Sequence, residues 1–231
     1  MRRNIPIESI LTGIAKPLAR GRDSAIDKKP VSGPVHIGLT GLTGDEQADT
    51  EKHGGPEKAV HIYSRDHYAA WLAELSSPVA RDILQKAGAF GENISVSGLS
   101  EQEVCIGDIW QAGSAVLQVS QGRQPCWKLN ERFAIPDMSS RVQDSGRTGW
   151  YFRVLEPGSV DSNSSLVLRD RLHETWSIAR IAHIFYHDRM NMTALETLAD
   201  IPELAESWRK LIQRRLDSNT VEDWSKRLSG S

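Results

Sequence analysis

The chain has 231 residues, 39% hydrophobic and 25% charged, with Lys+Arg 28 against Asp+Glu 30 and a formal charge of −2. These values exclude a disordered chain, a collagen-like repeat and a coiled coil. They also supply no basic half for phosphate neutralisation: residues 1–165 carry 18 basic and 20 acidic side chains and residues 166–231 carry 10 of each, so no nucleic-acid partner is expected.

Residues 5–14, 35–39, 59–63, 104–110, 115–120, 150–156 and 166–168 read as short strands between Gly, Pro and Asp breaks. The runs 104–110 and 115–120 form a hairpin through Gln111-Ala112-Gly113-Ser114, and Pro157-Gly158 marks a turn. In residues 66–75, Tyr68, Trp71, Leu72 and Leu75 fall at helical spacing. Many short strands and few helices predict a mainly β barrel or sandwich. After Arg171 the period changes. Ile178, Ile181, Ala182 and Phe185, then Leu204, Trp208, Leu211 and Ile212, then Val221, Trp224 and Leu228 mark short amphipathic helices, with start signals at residues 200–203 and 220–223. Two units follow, a β domain over 1–168 and a helical domain over 169–231. Arg209, Lys210, Arg214 and Arg215 are expected on the solvated side of a helix, where they would also suit an acidic redox partner.

Arg2 and Arg3 precede an apolar stretch that Pro6 and Glu8 interrupt, and no run reaches the ~18–20 residues of a membrane span. The expectation is a cytoplasmic protein with no membrane partner. Its two cysteines, Cys105 and Cys126, are too few for a Cys₄ zinc site or an all-Cys iron–sulfur cluster. Cys105, in Val104-Cys105-Ile106, reads as a core residue of a strand.

Four clusters could carry chemistry: Gly41-Leu42-Thr43-Gly44-Asp45, His53-Gly54-Gly55-Pro56-Glu57, Phe90-Gly91-Glu92-Asn93, and Ser120-Gln121-Gly122-Arg123-Gln124-Pro125-Cys126-Trp127-Lys128-Leu129. Glycines beside His, Glu or Asp let backbone approach a ligand, and Arg123 and Lys128 favour the thiolate of Cys126. Each also has a plainer reading, as a turn, a loop histidine, a capping carboxylate or a small buried thiol.

In this order and spacing the four clusters resemble the MOSC domain, which binds molybdenum cofactor. The strings at 41–48 and 119–130, with the helical tail, resemble its YiiM branch, which carries a C-terminal three-helix domain. The resemblance implies a MOSC-type twisted β-barrel followed by a small α-helical domain, with Cys126 as metal ligand and His53 and Glu92 as its catalytic partners. It also carries the family's association with pyridoxal phosphate. Asp45 and Asn93 would join the cofactor site, as would Arg123 and Lys128. Gly21-Arg22-Asp23-Ser24 resembles the family's phosphate region, which places Arg22 and Ser24 on the pterin phosphate with Asp23 pointing away. Where family members show Pro-Arg-x-Pro-Cys, this chain has Gly122 for the first proline. The implied activity is reduction of N-hydroxylated compounds such as 6-hydroxylaminopurine, with His53 as proton donor. With no cluster ligands or dinucleotide fingerprint, electrons would come from an external donor such as a flavin reductase; the helical tail would be its dock, a lid or a homodimer contact. The same residues also fit a persulfide carrier at Cys126, a non-catalytic anion-binding module at the barrel mouth, or a Cys126–His53–Glu92 hydrolytic triad.

Overall fold

The computed structural model describes residues 3–49 and 54–230. Its strands are β1 (Asn4–Thr12), β2 (Lys16–Ala19), β3 (Arg22–Ser24), β4 (Lys29–Pro30), β5 (Val35–Gly38), β6 (Gly41–Leu42), β7 (Val60–Ser64), β8 (Ile94–Val96), β9 (Ile109–Ala112), β10 (Ala115–Gly122), β11 (Trp150–Glu156), β12 (Gly158–Val160) and β13 (Ser165–Asp170). Its helices are α1 (Asp66–Glu74), α2 (Pro78–Ile83), α3 (Lys128–Phe133), α4 (Met138–Ser145), α5 (Ile178–Tyr186), α6 (Met192–Ala199), α7 (Glu206–Ser218) and α8 (Ser225–Leu228).

Strands β13-β9-β10-β11-β7-β8-β1 lie side by side, and β1 returns to β13 through Asn4↔Val167 and Pro6↔Ser165. Seven strands therefore close a barrel, antiparallel except for β7–β8. Closure removes the free edges that an open sheet exposes. Along β11 burial alternates, so Trp150, Phe152 and Val154 fill the interior while Tyr151 points the other way. β7 is buried at all five positions because both of its faces are covered. Val60 and Ile62 join the barrel core, whereas Tyr63 packs outward with Tyr68, Trp71, Phe90 and Phe133 beneath α1 and α3.

The helices after β13 share the barrel's core: Ile178, Phe185, Leu204 and Trp208 belong to one cluster with Val119 and Trp150. Gly122 ends β10 in register with Trp150, and a Cβ there would lie 3.1 Å from the Trp208 ring and 3.2 Å from Ile178. The sheet and the overlying helices hold this position, so the missing proline is replaced by close packing. Among the described residues no helix is long and apolar enough to cross a membrane.

Several local expectations are corrected. The run at 104–110 is a strand only from Ile109; Gly107 turns the chain at φ 76°, and the Asp108 carboxylate accepts from Cys105 N at 2.9 Å and pairs with Arg171. Cys105 is buried as expected, but in an isolated bridge to Ser177. The hairpin turn is tighter than read, because Ala112 pairs directly with Ala115. Residues 200–203 do not start a helix: Ala205 N donates to Ser120 O of the barrel at 2.9 Å, and α7 begins at Glu206. Residues 220–223 also lie before their helix, where Asp223 accepts from Ser225 N at 2.8 Å. Arg215 is not solvated. It is 1% exposed and meets Glu222 at 2.7 Å, which holds that carboxyl down at about 2.

Candidate functional site

The register pair His61↔Tyr151 joins β7 to β11 on the side facing away from the barrel interior, with the rings 4.8 Å apart. A cleft of about 80 Å³ lies against this pair, room for a few water-sized groups or the polar end of a larger ligand. It is therefore cut into the outer wall and is not the barrel mouth. Loops from across the chain complete it with Ser24, Lys28, Asp45, Lys58, Gly91, Asn93, Arg123, Cys126 and Lys128.

Asp45 organises one side. Its Oδ1 accepts from Gly13 N at 2.8 Å and from Lys28 Nζ, and its Oδ2 accepts from Asn93 Nδ2 at 2.8 Å. Asn93 Oδ1 in turn accepts from His61 N at 3.1 Å, which ties the glycine-rich loop to β7. Burial pulls the Lys28 ammonium below its ordinary pKa while the Asp45 charge opposes the shift. Gly91 adopts φ 75°, and a Cβ there would meet Ile26 at 2.8 Å, so glycine is what lets this loop close on the cleft.

The other side is cationic. Arg123 is 6% exposed, its N–H donates to Gly149 O at 3.0 Å, and its Nη1 meets no acceptor among the described residues. A buried guanidinium nitrogen without an acceptor is uncommon and marks a place for an anion. Lys128 donates from Nζ to Asp23 O at 3.1 Å. Burial lowers the Lys58 pKa, while the nearby charges of Asp49 and Cys126 raise it. Cys126 is buried yet lines this cleft, in no disulfide, and its carbonyl accepts from Leu129 N at 3.0 Å where α3 begins. Its sulfur thus shares a cavity with Lys58, Arg123 and Lys128.

The structure thus brings together Ser24, Asp45, Asn93, Arg123, Cys126 and Lys128 from the residues singled out in the sequence. His53 lies outside the described residues. Glu92 is not in the lining. It is fully buried, and its carboxylate accepts from Tyr68 OH at 2.8 Å, Gly88 N at 2.7 Å, Phe90 N at 3.0 Å and Ser95 Oγ at 3.0 Å. Its oxygens are occupied in holding a loop, and the structure does not bring it to the cleft beside Cys126. Arg22 is exposed just after the Arg20-Gly21 turn at the tip of the β2–β3 hairpin, away from the lining, whereas Ser24 at the base reaches it. Asp23 has an exposed side chain and offers the cleft side only its carbonyl.

Sequence reasoning missed Lys28, Lys58, His61 and Tyr151. The available signal was a histidine inside the apolar strand Val60-His61-Ile62-Tyr63. Burial, reinforced by the Arg123 charge, pushes His61 down to about 3, so at neutral pH it is an uncharged wall of the site.

Among the described residues no three His, Cys, Asp or Glu side chains converge on a metal position. A metal in this cleft would take Cys126 as its protein ligand and bring the rest of its donors with it. A metal carried by a sulfur-chelating organic cofactor with an anionic end meets that requirement, with the acceptor-free Arg123 nitrogen for the anion. The family model for the MOSC domain matches residues 49–167, across the Cys126 loop and β7 to β11. The chain belongs to the MOSC family. A second model, the YiiM-like 3-alpha helix domain, matches residues 176–219, which hold α5 to α7.

Relatives of this MOSC protein cover from 78% to 98% of its length. It is 38% identical to YiiM of Escherichia coli (strain K12) over 221 residues, 96% of this chain and 97% of that one. The crystal structure of Escherichia coli YiiM superposes with a TM-score of 0.83 at 34% identity, covering 98% of each chain. YflK of Bacillus subtilis (strain 168) is 42% identical over 195 residues, 84% of this chain and 86% of its own. A Gibberella moniliformis protein named Reductase is 39% identical over 180 residues, 78% of this chain but 31% of its own length.

Proposed function

We propose that this MOSC protein holds molybdenum cofactor through Cys126 and reduces N-hydroxylated compounds of the 6-hydroxylaminopurine type. The observation that carries the reading is one cleft lined by both Cys126 and buried Arg123, whose Nη1 has no acceptor among the described residues. When bound, the cofactor supplies the two-electron metal chemistry that amino-acid side chains lack.

The chain's own residues have separable tasks. Cys126 offers a soft thiolate, and Lys58 and Lys128 add positive charge around it. Arg123 takes the anionic end of the cofactor, since a guanidinium can fork two bonds onto phosphate. The His61–Tyr151 face gives a planar wall for a flat substrate or pterin ring. The overall reaction is R–NHOH + 2 e⁻ + 2 H⁺ → R–NH₂ + H₂O. Lys58, with its pKa lowered by burial, holds a proton at Nζ within the same cleft, and neutral His61 cannot supply one near pH 7. His53 remains the sequence-based proton donor. Electrons come from an external reductase such as a flavin enzyme, in keeping with a relative named Reductase whose chain extends well beyond the shared segment.

The test is expression in cofactor-replete and cofactor-deficient cells, followed by 6-hydroxylaminopurine reduction with a chemical electron donor. Turnover only in cofactor-replete protein supports the proposal. Labile sulfane sulfur without molybdenum supports the persulfide carrier instead, and anion binding without turnover that survives Cys126→Ala supports the binding module.

A further inference from the structure

The C-terminal segment after α7 crosses back over the Cys126 loop. It is anchored upstream by the Glu222–Arg215 pair and downstream by Arg20 Nη1, which donates to Ser229 O at 2.7 Å. Between these anchors, Arg227 touches both peptide groups that flank Cys126. Its Nη1 donates to Pro125 O, and its own carbonyl accepts from Trp127 N at 2.8 Å.

Peptide groups are rigid planes, so the residue between two of them has only φ and ψ to vary. The Pro125 carbonyl reports the plane on one side of the Cys126 α-carbon, and the Trp127 N–H reports the plane on the other. One residue holding both fixes φ and ψ of Cys126 together. The guanidinium is itself held, since Arg227 Nη2 donates to buried Gln143 Oε1 at 2.6 Å.

We propose that Arg227 is a positioning residue for Cys126: the C-terminal strap clamps both peptides around the thiol-bearing residue and so sets where the sulfur sits in the cleft. Its functional meaning rests on the reading of Cys126 as the metal-binding thiol, but its test needs neither metal nor substrate.

The experiment is alkylation of the full-length protein from cofactor-deficient cells by iodoacetamide from pH 6 to 9, with peptide mass spectrometry separating Cys126 from Cys105 and a thermal midpoint for each variant. Thiol reactivity follows thiolate content and access. Arg227→Ala is expected to raise the Cys126 rate constant by about tenfold and to shift its pH profile, with Cys105 unchanged. Arg227→Lys keeps the backbone acceptor and one donor, and gives a change of the same kind but smaller. Should Arg227→Ala fail to fold, Arg227→Lys decides alone. Superimposable Cys126 profiles in the parent and every folded variant overturn the proposal, and so does a parallel rise at Cys105, which would signal general loosening. A changed Cys126 profile in a protein that takes up no molybdenum leaves the clamp standing and removes the cofactor reading; the converse result does the opposite.

Discussion

Asn93 donates to Asp45 across 48 residues of sequence at 2.8 Å, and its Oδ1 accepts from His61 N near the start of β7 at 3.1 Å, so one amide joins the Asp45 loop to the strand. The same carboxylate faces Lys28, with side-chain exposures of 3% for Asp45 and 8% for Lys28. Removing one partner of a buried pair strands the other, so Asp45→Ala is expected to lose about 3–5 kcal/mol in urea denaturation. The double variant Asp45→Leu with Lys28→Met should recover only part of that loss, because it removes the stranded lysine charge but leaves Gly13 N and Asn93 Nδ2 without their acceptor. A single-variant loss under about 1 kcal/mol contradicts this role.

Arg123 is expected to behave in the opposite way. Its Nη1 is a buried donor with no acceptor among the described residues, a cost that offsets what its side-chain hydrogen bond with Tyr151 contributes to the unliganded fold. Arg123→Met should therefore leave thermal stability in an anion-free buffer unchanged or raised. In the parent, added phosphate should raise the midpoint, since a ligand at 100 times its Kd stabilises by about 2.7 kcal/mol. That rise should vanish in Arg123→Met, and an equal phosphate response in both proteins contradicts the assignment.

Glu92 separates folding from chemistry. Glu92→Gln places an NH₂ group against N–H and O–H donors, and loss of charge-assisted bonds of about 1.5–3 kcal/mol each makes a stability loss of about 2–4 kcal/mol the expected result. The folded fraction should keep its turnover within about threefold, well short of the hundredfold or larger loss that removing an acid–base group brings. Denaturation and single-concentration assays on one preparation check both halves.

His61 sets a pH dependence. The unfolded imidazole titrates near 6.5 and the folded one at about 3. Between those values the unfolded chain takes up a proton that the folded chain refuses, so stability is full above about 6.5 and falls on acidification by up to about 1.4 kcal/mol per pH unit. Glu222, held at about 2 in the fold, adds its own loss only as the pH drops below its unfolded value of 4.5. Unfolding free energies from pH 7 to 5 should fall less steeply in His61→Gln than in the parent; equal slopes contradict the assignment.

Much of this architecture was legible in the sequence. The short run at 150–156 closed by Pro157-Gly158 marks β11 over Trp150–Glu156, and the helical spacing of Ile178, Ile181, Ala182 and Phe185 marks α5. What failed was governed by contacts distant in sequence. Residues 200–203 have the composition of a helix start, but a hydrogen bond from Ala205 to Ser120 in the barrel decides where α7 begins. Cys126, Asp45 and Asn93 were found because their clusters are dense in functional residue types. Lys28, Lys58 and Tyr151 stand in ordinary surroundings along the chain and become neighbours only when the β7–β11 register and the loops over it are formed. A carboxylate spent on backbone N–H groups, as that of Glu92 is, looks the same in sequence as one facing a cavity.

The central claim is that the Cys126 sulfur is the protein's ligand to a molybdenum centre. The most direct measurement is the molybdenum-to-protein ratio of parent and Cys126→Ser purified side by side from cofactor-replete cells. About one molybdenum per parent chain is expected, as a single-thiolate site requires, with loss of the metal in a folded Cys126→Ser protein. Equal molybdenum in both proteins, or none in the parent, would contradict it.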